Sequence, residues 1–184
     1  MKYVLSLLLI TFMSCNGDYC HKALMAEKKI TPKMKNWSEE TSKLFNLILL
    51  CDDGSGTLID GDDQTFWCSK FMIQSHKMTI EDMRPIIEKV YQSLWKMAKE
   101  EKAFKDFVLF TSKLISRFRP NLTPGHIGIR IDLWDENNDR YLSPYVSQAI
   151  VTGNQVYYYY ADPETQALQK PGVVEDLAAW VIGE

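Results

Sequence analysis

The sequence predicts an α+β domain: a helical N-terminal half packed on a three-stranded antiparallel β-meander, closed by a short C-terminal helix. Three observations carry this expectation. Apolar residues recur at helical spacing as far as Phe118. Beyond Pro120 and Pro124-Gly125 the period changes to two. Helices first and strands afterwards is the order of an α+β fold rather than of alternating βαβ units.

The first helix is expected near residues 38–51. Ser38 is a capping residue type, Glu39 and Glu40 suit a first turn, and Leu44, Phe45, Ile48 and Leu49 form an apolar stripe. Residues 52–63, DDGSGTLIDGDD, read as an acidic loop. A long helical stretch follows near 83–118. Met83, Ile86, Ile87, Val90, Tyr91, Leu94 and Ala98 share one face, and a second stripe from Phe104 to Phe118 is out of phase with it. A break near Glu100 to Lys102 is therefore expected. Pro85 belongs in a first turn, which makes Asp82 the expected cap.

The alternation of Ile127, Ile129, Ile131 and Leu133 with Gly128, Arg130, Asp132 and Trp134 predicts a strand over 127–134. Two more strands are expected near 144–152 and 156–161, joined by a Gly153-Asn154 hairpin turn. Asp162-Pro163 stops the third. Val173 to Ile182, after Pro171-Gly172, reads as the final helix.

A chain of 184 residues with 46% hydrophobic and 24% charged residues fits one ordinary globular domain. Its formal charge of -3 and scattered lysines exclude the dense basic patches that hold nucleic acid through counterion release. The N-terminus departs from globular composition. Lys2 precedes an apolar run, Val4 to Met13, of about ten residues, half the number that spans a bilayer. That pattern is an export signal over residues 1–14. The polar, Lys- and Pro-containing residues 15–36 then read as a tether, and 37–184 as the globular domain.

Leu9 to Cys15 ends in Phe-Met-Ser-Cys and resembles the lipobox of bacterial lipoproteins, with Phe12 and Met13 in place of the usual Leu and smaller residue. The resemblance implies that Cys15 becomes the acylated first residue of the mature chain. It implies a lipid-anchored protein of the bacterial cell envelope, with plain secretion as the alternative. Of the remaining cysteines, Cys51 and Cys68 flank the acidic loop and form the expected disulfide, which an exported compartment permits.

No phosphate-cradling loop, dinucleotide fingerprint, zinc motif or nucleophile elbow occurs, and no cofactor or metal is expected. Residues 52–62 resemble part of an EF-hand calcium loop, but the register puts Cys51 and Ile59 where oxygen ligands belong. Asp135, Asn137 and Asp139 have ligand-like spacing, yet Asn and Asp also close tight turns. The expected function is non-enzymatic binding of a protein or small ligand. The alternative is a small envelope hydrolase using His126 and nearby carboxylates. For binding, alternation places Trp134 with Arg130 and Asp132 on a face expected to be open to water. Tyr158 and Tyr160 complete the candidate surface, with Tyr157 and Tyr159 as the other register.

Overall fold

The computed structural model describes residues 17–57, 64–107, 109, 127–152, 155–169 and 172–177. Helix α1 spans Gly17–Leu44, strands β1 and β2 span Ile48–Thr57 and Gln64–Gln74, and helix α2 spans Ile80–Glu100. Strands β3 to β6 follow at Ile127–Trp134, Gln148–Thr152, Gln155–Tyr159 and Val173–Asp176. The six strands form one sheet in sequential order. Its β2–β3 pair is parallel and every other pair antiparallel. The fold is α+β, but the expected three-stranded meander is corrected to a six-stranded mixed sheet. Antiparallel partners need only a turn between them, whereas the parallel pair needs a crossover, and α2 lies in it.

Helix α1 overturns the tether. Ala26, Ile30, Met34 and Trp37, spaced four, four and three apart, are buried in the main core. The stripe is narrow and interleaved with lysines, and Pro32 sits inside the helix on an exposed position, so composition hid it. Ser38 is not a cap. It lies within α1, fully buried, with its Oγ 2.7 Å from Ser69 Oγ of β2. The helix stops at Leu44 because Asn46 adopts a left-handed backbone (φ 52°), a conformation Asn tolerates better than most residues. Ile48 to Leu50 therefore begin β1 rather than end a helix, and Asp52 to Thr57 extend that strand.

Helix α2 keeps its predicted stripe, with Met83, Ile87, Val90, Tyr91, Leu94 and Ala98 all buried. Its cap is Thr79 rather than Asp82: Thr79 and Asp82 form a reciprocal capping box, and Pro85 is accommodated inside the helix. The chain leaves α2 at Glu101 and is helical again over 102–107. The expected helical residues 108 and 110–118 lie outside the described residues, as does the Gly153-Asn154 turn.

The expected C-terminal helix is corrected too. Val173–Asp176 is a strand paired with β5, as suits the β-branched pair Val173-Val174, and residues 178–184 lie outside the described residues. Gly172 is needed at its start, since a Cβ there would lie 2.5 Å from the Tyr160 ring. Helix α2 clips this edge: Arg84 Nε donates to both carboxylate oxygens of Glu175, at 2.9 and 3.1 Å.

Register sorts the sheet into two faces. Ser69, Phe71, Ile73, Ile129, Ile131, Leu133, Ala149, Val151, Val156 and Tyr158 lie on the first. All are buried, and the nine other than Ser69 belong to one cluster with the inner stripes of α1 and α2. Trp37 meets Phe71 edge-on, with ring centroids 6.2 Å apart. Cys68, Arg130, Asp132, Trp134, Gln148, Ile150, Thr152, Tyr157 and Tyr159 lie on the second face.

Candidate functional site

The residues proposed for binding do not share a face. Arg130, Asp132 and Trp134 lie together on the second face, whereas Tyr158 and Tyr160 belong to the helix-covered side. Tyr158 is fully buried in the core, and Tyr160 packs against it. The Tyr158 hydroxyl is 3.2 Å from Glu175. Burial first, and the Glu175 charge second, push its ionisation far above the usual phenol range. Tyr157 and Tyr159 are the pair on the Trp134 side, and Tyr159 is itself buried.

The second face is not the open surface the alternation predicted. Asp132 is buried, and its carboxylate accepts hydrogen bonds from Arg130 Nε at 3.0 and 2.9 Å. Gln148 of β4, directly opposite, donates its side-chain amide to Asp132 Oδ1 at 2.5 Å. Charged groups persist in such a place because their hydrogen-bond capacity is used internally. Gln148 is a member of this network that the sequence reading missed; a Gln within the otherwise apolar run Ala149-Ile150-Val151 was its signal.

Beyond Trp134 the chain turns sharply. Asp135 Oδ1 accepts the backbone N–H of Asn137 and of Asp139, both at 2.8 Å, and Asn138 has a φ of 64°. The Asp135 carboxylate therefore closes a turn, as Asx geometry does elsewhere. The turn returns Arg140 antiparallel to Trp134, and its guanidinium lies over the indole ring, 5.0 Å from the centroid. Gln166 Oε1 accepts the Arg140 backbone N–H at 3.1 Å and fixes this position.

The consequence is a cleft of about 600 Å³ at the end of the sheet where the parallel strands β2 and β3 both finish. Ser75 and Lys77 line one side, the turn at Asp135 to Asn137 another, and Arg140 to Ser143 with Tyr145 the third. Lys77 Nζ sits 5.4 Å from the Tyr145 ring centroid. The Val146 N–H donates to Met78 O at 2.8 Å, and the Ser75 N–H to Trp134 O at 2.8 Å, so the walls are tied together by backbone. Partial burial pulls the Arg140 guanidinium down from its usual range; the Asp132 charge opposes that and the Arg130 charge adds to it. Arg140 forms no ion pair with a described carboxylate. Two cations, Lys77 and Arg140, are held against aromatic faces in this cleft, whose turn side also carries Asp135 and Glu136.

The remaining expectations fall elsewhere. Cys15 and the signal peptide lie outside the described residues, as does His126. Cys68 is buried opposite Asp53, while Cys51 pairs with Lys70. Asp52 to Thr57 run as a strand, and residues 58–63 lie outside the described residues. Among the described residues no helix is long and apolar enough to cross a membrane. Compared with known proteins, the chain matches no family model, no curated protein and no solved structure.

Proposed function

We propose that this chain is a lipid-anchored protein of the bacterial cell envelope that binds a partner without catalysis, and that the cleft beside Trp134 receives an anionic segment of that partner. The anchoring rests on the lipobox-like Phe12 to Cys15. The binding rests on one observation: Arg140 is held over Trp134 with its guanidinium unpaired to any described carboxylate, at the mouth of a cleft that also contains Lys77. A guanidinium in that setting gains a hydrogen-bonded carboxylate or phosphate at little ordering cost, because stacking has already oriented it.

The fluorescence difference between the parent chain and a Trp134→Phe variant reports on this site, since Trp134 is one of five tryptophans. Titration with an oligoglutamate peptide is expected to change the emission of the protein, and oligolysine to leave it unchanged. Arg140→Gln should weaken that binding by more than about 1 kcal/mol, as expected for an anchor, with the thermal midpoint nearly unmoved. Equal responses to both peptides, or an undiminished response in the variant, would remove the cleft from the proposal. Anchoring is separable: Cys15→Ser should shift the chain out of the detergent phase and remove the acyl mass.

A further inference from the structure

The two helices carry a charge gradient that the linear sequence conceals. Trp37 Nε1 donates to Ser93 Oγ at 3.0 Å, and Lys33 pairs with Glu101. Moving back along α1 thus means moving forward along α2, so the helices are antiparallel. The N-terminal half of α1 lies beside the end of α2 and the helical residues that follow it. Lys28, Lys29, Lys99, Lys102 and Lys105 are all exposed at this end. None forms an ion pair with a described carboxylate. Of the carboxylates nearby, Glu101 pairs with Lys33, and burial raises the Glu27 carboxyl above its usual range. Exposed Glu100 and half-buried Asp106 oppose the lysines. The other end of the helix pair has the reverse sign, with Glu39, Glu40, Glu81 and Asp82 exposed against Lys43.

Two further features mark the basic end. Met25 and Trp95 are 41% and 43% exposed, each about one helical turn from a lysine of the set. Tryptophan is favoured at the boundary between lipid and water. Helix α1 also begins at Gly17, two residues after Cys15, which places this end of the molecule nearest the N-terminal segment.

We infer that the basic end of the α1–α2 pair is a membrane-docking surface that lies against anionic lipid headgroups. Cys15 stands two positions before Gly17, so acylation there would bring this end of the helix pair to the bilayer. The lysines then supply the second attachment that a lipid chain needs for firm binding. The cleft, at the ends of β2 and β3, belongs to a different part of the surface. The inference leans on the envelope reading for its setting, but its test does not require acylation.

The test uses the full chain carrying Cys15→Ser, so that no acyl group contributes, with vesicles of phosphatidylcholine alone or mixed with phosphatidylglycerol. The leader and Lys2 are common to every variant, so the difference between variants on the same vesicles reports the helix surface. Binding is expected to be stronger on the anionic vesicles and to fall with salt. Lys28→Glu with Lys102→Glu should reduce the anionic-vesicle partition by at least about tenfold, since each lysine near such a surface contributes roughly a factor of five. Lys43→Glu with Lys89→Glu changes the net charge equally but away from this end, and should have little effect. Equal losses in the two pairs would show a response to net charge alone and overturn the inference. So would equal binding to neutral and anionic vesicles. Failure here with normal acylation of the parent chain would leave the anchor standing and remove only the docking surface.

Discussion

Along β4, Ala149 and Val151 point under the helices, and Gln148, Ile150 and Thr152 point the other way; all five are buried. The two faces of the sheet reach that state differently. On the first, Phe71, Ile129, Ile131, Leu133 and Val156 join the stripes of α1 and α2, and burial of apolar area dominates. On the second, Arg130, Asp132 and Gln148 bond to one another, with Ile150 and Cys68 buried beside them. A polar residue on a strand therefore does not mark a wet face. It marks either water or a partner, and here Asp132 has two partners. The cleft on this side lies where β3 ends, beside Trp134 and Arg140.

The comparison is broken most severely from the helix-covered face. Phe71 is fully buried against Trp37, so Phe71→Ala should cost about 3–5 kcal/mol in denaturant unfolding, the range for emptying a core aromatic site. A loss below about 1 kcal/mol would mean that the helices do not cover this face as described. The second face should yield a smaller loss of a different kind. Asp132→Ala leaves Arg130 and the Gln148 amide without their acceptor, and should cost about 2–3 kcal/mol. The double variant Arg130→Ala with Asp132→Ala should lose clearly less than the sum of the single changes; strict additivity would refute a coupled network. The smallest effect has the opposite sign. Thr152 is buried and its hydroxyl has no hydrogen-bond partner among the described residues, so Thr152→Val keeps the shape, removes an unsatisfied group and should stabilise by up to about 1 kcal/mol. Destabilisation on that change would show that the hydroxyl is engaged.

Strand β3 and the stripe of α2 were legible because both are written locally: an alternation over 127–134, and a 3.6-residue period from Met83 to Ala98. The antiparallel course of β4 and β5 belongs to the same category, since the polar and apolar patterning that flanks residues 153–154 was visible. The candidate site was half legible. Strand alternation alone put Arg130, Asp132 and Trp134 on one side. Arg140 and Lys77 went unread, because they approach that side only through the Asp135 turn and the segment after β2.

By itself, then, the sequence determined the helix–strand content of its strongly periodic segments and the acidic and turn-forming character of residues 135–139. The tertiary structure alone decided the rest. Asp52 to Thr57, rich in Asp and Gly, are extended because β2 supplies their hydrogen bonds, whatever their own propensity. Val173 to Asp176 are a strand because β5 presents an edge to them. Ser38 is buried because Ser69 stands opposite. The parallel β2–β3 pair joins residues about 60 positions apart, and a short window along the chain carries no record of such a partner.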